Sequence, residues 1–148
     1  MKKRILALDV GDKRIGIALS DQLHLTAQGL ETYVRGTDVE VDVHHIEEVC
    51  RAHDVAYIVC GLPRNMNGTI GPQAEKVMVF ATLLHDRTGL EVVYEDERLT
   101  TVLAERALLE ADLSRRKRRK VIDKMAAVTI LQSHLDANAR VRTDTGDE

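Results

Sequence analysis

Tryptophan is absent from this chain, phenylalanine occurs once and tyrosine three times, so aromatic residues make up only 3% of its 148 positions. That scarcity argues against a surface that reads single-stranded bases by stacking them on successive rings. Cysteine is nearly missing as well: Cys50 and Cys60 stand ten apart, with no Cys-x-x-Cys and no histidine at ligand spacing. Neither a disulfide framework nor a zinc site is suggested, and both read as small buried hydrophobes. No apolar run approaches the ~18 residues of a membrane span. The basic start MKKRILALDVG carries Asp9 where a signal peptide would stay apolar, so a cytoplasmic location without membrane contact is expected.

What is present suits one domain. Hydrophobic residues make up 44% of the chain, enough for a core built from Leu, Val, Ile, Ala and Met. The net charge of −3 does not favour a generic polyanion binder, but charge is segregated. TDVEVDVHHIEE (Thr37–Glu48) and the tail TDTGDE (Thr143–Glu148) are acidic, whereas SRRKRRK (Ser114–Lys120) packs six cations into seven residues. Such a run reads equally as a solvated loop or helix start and as an electrostatic footprint for phosphates.

Periodicity outlines the elements. Arg4–Val10 and Arg14–Ser20 read as strands joined by a hairpin turn over Gly11, Asp12, Lys13 and Arg14. Leu23–Val34 can be a third strand. Asp38 is placed as the N-cap of a helix to Ala52, with a stripe at Val39, Val43, Ile46, Val49 and Cys50. Val55–Cys60 is a buried strand, GLPRNMNGTIGP (Gly61–Pro72) a loop, Gln73–Leu84 a helix closing near Gly89, and Leu90–Tyr94 a strand. Leu99–Ala111 and Arg119–Ala137 read as helices flanking the basic run. The expected class is α/β, a mixed five-stranded sheet with helices on both faces. One domain spans 1–138, and residues 139–148 form a disordered acidic tail.

Three carboxylates stand out by context: Asp9 at the end of the first strand, Glu97 after the last strand, and Asp123 in the first turns of the last helix. Asp123 projects on the same side as Ala126, Ala127 and Ile130, so it should face the sheet. Strands one and five could be neighbours, which would set Asp9 and Glu97 against the same helix end. Three converging carboxylates repel one another unless a cation neutralises them, and hard oxygen donors suit Mg²⁺ or Mn²⁺. Singly, each has an ordinary role: turn former, surface charge, helix-start acid. Spacing alone leaves both readings open. The Gly-rich loop offers backbone amides with Arg64 and Asn67, and Thr100 and Thr101 after Arg98 can cap a helix or meet phosphate. The six histidines show no ligand spacing, and His44–His45 on an acidic helix reads as solvated.

Four blocks in order, LALDVGDKRIGIALSD, IVCGLPRNMNGTIGPQ, VVYEDERLTT and IDKMAAVTILQ, resemble the bacterial YqgF-type family over about Lys2 to Leu135. These are small RNase H-like proteins described as Holliday-junction resolvases and as nucleases for the 5′ end of precursor 16S rRNA. The resemblance implies an RNase H-like fold and a metal-dependent endonuclease. It places the family's three acids on Asp9, Glu97 (rather than Glu95 or Asp96) and Asp123, ligating Mg²⁺ or Mn²⁺. Lys13, Arg14, Arg64, Asn67, Arg98, Thr100, Thr101, Arg115, Arg116, Arg118 and Arg119 would hold a structured nucleic acid, as monomer or homodimer. Two rivals stand beside it. DVGDKRIG also resembles the first phosphate loop of the actin and sugar-kinase superfamily, although 148 residues leave room for one such domain where that fold needs two. A binding protein without turnover is the second.

Overall fold

Ile5, Ala7 and Asp9 point to one face of the first strand, and Leu6, Leu8 and Val10 to the other, by the two-residue alternation of extended chain. All six are buried, which is why the run is apolar on both phases. The computed structural model describes residues 3–97 and 115–144. Within them the order is β1 (Arg4–Val10), β2 (Arg14–Ser20), β3 (Ala27–Val34), α1 (Val39–Ala52), β4 (Val55–Leu62), α2 (Pro72–Thr88), β5 (Val92–Asp96) and α3 (Arg115–Asp144).

The strands form one mixed sheet in the order β3-β2-β1-β4-β5. The hairpins β1–β2 and β2–β3 pair antiparallel, and β1–β4 and β4–β5 pair parallel. α1 and α2 cover one face. Leu6, Leu8, Ile15, Ile17, Ile58 and Cys60 of the sheet meet Ile46, Phe80 and Leu84 there. α3 covers the other, where Ile5, Ala7, Ala18 and Val59 meet Ala126, Ala127, Ile130 and Leu131. Each fully buried Leu or Ile contributes about 1.5–3 kcal/mol. The small residues of the second layer let α3 lie close to the sheet.

Local chemistry sets the ends. Asp38 caps α1 by accepting from the Glu40 N–H at 2.9 Å. α2 starts on Pro72 and stops at Gly89, whose φ of +72° is the left-handed cap that glycine adopts without strain. β3 begins at Ala27, not Leu23, because Asp21 folds the preceding segment into a turn. Its carboxylate accepts from the N–H groups of Leu25 (2.7 Å) and Thr26 (3.0 Å).

Two expectations are corrected. β1 and β5 are not neighbours, since β4 lies between them. The last helix starts at Arg115 and runs to Asp144 rather than spanning Arg119–Ala137. Arginine and lysine are good helix formers, so the basic run extends α3 instead of preceding it. Asp123 therefore lies beyond the first turns, where the helix dipole has faded. The helix expected over 99–111 lies outside the described residues, as does the chain after 144. Among the described residues, no helix is long and apolar enough to cross a membrane.

Candidate functional site

The registers place one row of residues across the sheet on the α3 side. Asp9 pairs with Gly16, and Gly16 with Thr32. Leu8 pairs with Cys60, so the next step sets Gly61 beside Asp9, and Gly61 pairs with Glu95. Glu97, two residues past Glu95, returns to the same face. Asp9 is thus flanked on both sides by glycine, and those gaps are filled from above and from the strand end. A Cβ on Gly16 would collide with the backbone of Asp123, and one on Gly61 would meet Ile130 and stand 2.8 Å from Glu97 Oε1. Adjacent strands lie about 4.8 Å apart, so Glu97 is within side-chain reach of Asp9 although β4 separates their strands.

Asp9, Glu97 and Asp123 therefore share one face at the carboxyl ends of β1 and β5. Asp9 is 9% exposed. Asp123 accepts from Arg14 Nε at 2.7 Å, in a pair whose side chains are 25% (Arg14) and 18% (Asp123) exposed. Among the described residues, the group whose donor atoms all lie within 4.8 Å is His44, Glu47 and Glu48, on the surface of α1.

The expected phosphate-holding residues divide. Lys13 is exposed at the hairpin turn, and Arg64 reaches along its loop toward Asp96 at 3.9 Å. Arg14 does not stand free at the turn; it turns inward to Asp123. Asn67 braces its own loop, its Oδ1 accepting from the Thr69 N–H (3.1 Å) and hydroxyl (2.7 Å). Arg115, Arg116, Arg118 and Arg119 lie in the first turns of α3, and their side chains fall outside the described set. Arg98, Thr100 and Thr101 also lie outside the described residues.

Other groups were not singled out by sequence. Asp42 on α1 is 1% exposed and accepts from Tyr33 Oη, Arg35 Nε and the Gly36 N–H at 2.9, 2.9 and 3.1 Å. Its place on the buried stripe, four residues before Ile46, was the available signal. His45 is not simply solvated: it pairs with Glu31 at 2.9 Å and stacks on Tyr33 at 4.2 Å. On the α3 face His134 meets Tyr57 Oη at 2.8 Å and lies 3.7 Å from Glu95. Burial pushes the Glu95 carboxyl up, with Asp96 adding and a Ser133 hydrogen bond opposing. Burial likewise pushes the His134 imidazole down. Cys50 and Cys60 are buried free thiols, as read, and burial drives each up to about 12.

A cavity of about 400 Å³ opens on the opposite face, lined by Val10, Arg35, Asp42, Lys76, Val79 and Phe80 among others. Its cations are already engaged. Arg35 bonds Asp42 and the Gly11 carbonyl (2.9 Å each) and lies 5.1 Å over the Phe80 ring, and Lys76 pairs with Asp12 at 3.4 Å. The three candidate carboxylates, Asp9, Glu97 and Asp123, belong to the α3 face.

Residues 3–137 match the family described as RuvX, Holliday junction resolvase. The chain belongs to the RuvX family. Within it, a Clostridium botulinum relative is 54% identical over 134 residues, covering 90% of this chain and 97% of its own. A Clostridium kluyveri relative is 53% identical over 133 residues, covering 90% and 96%. Both bear the name "Putative pre-16S rRNA nuclease". Among solved structures, the chain resembles T. thermophilus RuvC in complex with a Holliday junction substrate. The TM-score is 0.58 at 14% identity, over 93% of this chain and 96% of the other. The Thermus thermophilus RuvC structure itself gives 0.57 at 14%. At that identity the likeness shows the fold, and the RNase H-like architecture expected from the YqgF-type blocks is what the sheet displays.

Proposed function

We propose that this protein is a divalent-metal-dependent endonuclease that hydrolyses phosphodiester bonds in the 5′-end processing of precursor 16S rRNA. The observation that carries the reading is the row of Asp9 between two glycines, with Glu97 and Asp123 brought over the gaps. The names of the 53–54% identical relatives support the substrate. The family description favours a second reading, resolution of Holliday junctions in DNA.

The donor set fits a divalent ion. Three carboxylates offer hard oxygens with no thiolate or imidazole among them, the pattern suited to Mg²⁺ or Mn²⁺. Glycine at 16 and 61 lets the Asp123 main chain and the Glu97 carboxylate come down beside the strand that carries Asp9, where a Cβ at either position would hold them off. When bound, such an ion supplies an activated water and offsets charge on the phosphate oxygens. Asp9, Glu97 and Asp123 would hold it. Burial of Asp9 and the packing of α3 on Gly16 keep two of those carboxylates from wandering, so little reorganisation is needed at the moment of reaction. Lys13 at the hairpin, Arg64 just after β4 and the basic start of α3 would hold backbone phosphates. Arg98, Thr100 and Thr101 belong to the same proposal from sequence alone.

The test is cleavage of a precursor-16S-like RNA and a four-way DNA junction, each with Mg²⁺, Mn²⁺ or EDTA, by wild type and Asp9→Asn. Metal-dependent cutting of the RNA, reduced at least about a thousandfold in the variant with binding retained, is expected. Cutting of the junction alone would transfer the function to DNA. Binding without cutting of either would leave a non-catalytic nucleic-acid-binding protein.

A further inference from the structure

Arg14 precedes Gly16 by two residues on β2, so both face α3, and α3 seats its Asp123 backbone directly on Gly16. Asp123 is therefore held within reach of the Arg14 guanidinium by main-chain packing, not only by its side-chain rotamer. The resulting pair is short, 2.7 Å between Nε and Oδ2, and mostly screened from water, at 25% and 18% exposure. It lies on the face that also carries Asp9, 9% exposed, and Glu97. A cation inside a set of like charges offsets their repulsion, and does so most strongly where solvent is thin.

We propose that Arg14 is the built-in counter-ion of this carboxylate face. In the metal-free protein it neutralises Asp123, and it competes with a divalent cation for that carboxylate instead of gripping substrate phosphate. The inference rests on the metal-dependent reading above and extends it to a residue whose position at the hairpin turn suggested a phosphate contact. A fixed positive charge beside the ligands lowers cation affinity, which keeps the face weakly metallated until ion and substrate arrive together. Hydrogen bonding to a planar guanidinium also keeps Oδ2 oriented in the interim.

The experiment is titration of the full chain with Mn²⁺, read by the paramagnetic signal of free Mn²⁺. It is run on wild type, Arg14→Gln, Arg14→Lys and Asp9→Asn, with melting curves in EDTA and in saturating Mn²⁺. Removing the charge should tighten Mn²⁺ binding about tenfold, the scale of one charge a few ångströms from a dication under water-like screening. Arg14→Gln should melt below wild type in EDTA, and saturating Mn²⁺ should narrow that gap. Arg14→Lys keeps the charge and should bind Mn²⁺ within about threefold of wild type; it also reports if the glutamine variant does not fold. The slope of RNA affinity against salt, measured in EDTA, should be unchanged in Arg14→Gln, whereas a lost phosphate contact would lower it by about one. Mn²⁺ binding that Asp9→Asn abolishes but Arg14→Gln leaves equal or weaker would overturn the counter-ion role alone. Tightening in Arg14→Lys would overturn it too, because charge could not be the cause. Mn²⁺ binding indifferent to Asp9→Asn would overturn the metal-dependent reading, and this proposal with it.

Discussion

Asp42 is 1% exposed and accepts hydrogen bonds from Tyr33, Arg35 and the Gly36 main chain. Burial alone would raise its pKa, but the Arg35, Gly36 and Tyr33 bonds outweigh it and hold the carboxyl below its ordinary value. The consequence for stability has a definite sign. A folded-state pKa below the unfolded one means that the unfolded chain takes up the proton first. The stabilisation is full above the ordinary carboxylate range and is lost as pH falls through that range toward the lower folded value. Urea midpoints should therefore fall in wild type on acidification below about pH 4, and Asp42→Ala should lack that part of the dependence. At neutral pH the substitution leaves Arg35 half-buried without its partner, at a cost of about 3–5 kcal/mol. A midpoint unchanged at neutral pH would refute the assignment. Asp9 has glycine beside it on both neighbouring strands. Its exceptional place after an apolar run was visible in the sequence, but the glycines on either side of it were not. Gly16 and Gly61 are seven and fifty-two residues away along the chain, and only the strand register makes them neighbours.

α3 is the element on which the site depends, and it is seated by the absence of a side chain. Gly16→Ala would drive a Cβ into the Asp123 backbone, so the helix must lift or tilt. Overpacking of this kind costs about 1–3 kcal/mol. The melting temperature should fall, and Mn²⁺ affinity should fall with it because Asp123 moves away from Asp9. A variant that melts lower yet binds Mn²⁺ like wild type would show that α3 can shift without disturbing the site. The same helix begins in the basic run. Neutralising Arg115, Arg116, Arg118 and Arg119 together should weaken nucleic-acid binding at low salt and flatten its salt dependence. An unchanged slope would mark that helix start as a solvated face. The sheet-facing side of α3, with Ala126, Ala127 and Ile130, was legible from their spacing. Its start at Arg115 was not, because a run of cations has no apolar stripe to mark where a helix begins.

Across the whole molecule both faces of the sheet are closed, by α1 and α2 on one side and α3 on the other. Cys50 and Cys60 are buried with their thiols driven up to about 12, so neither forms a thiolate at neutral pH. A thiol reagent should label the native protein only as fast as it opens, and labelling should reach completion in denaturant. Rapid native labelling of both would contradict the closed core. By itself the sequence determined the order and kind of the described elements and the buried stripe of α1, because periods of two and 3.6 are local properties of the backbone. It also marked Asp9, Glu97 and Asp123, through their context and through their match to a family's blocks. Only the tertiary structure decided that β4 lies between β1 and β5, and that Glu97 comes over Gly61, the residue beside Asp9. It alone turned Arg14 inward to Asp123, more than a hundred residues along the chain. The reason is physical. Strand order, register and the seating of a helix on a glycine depend on how distant surfaces fit, and no local pattern in the chain carries that information.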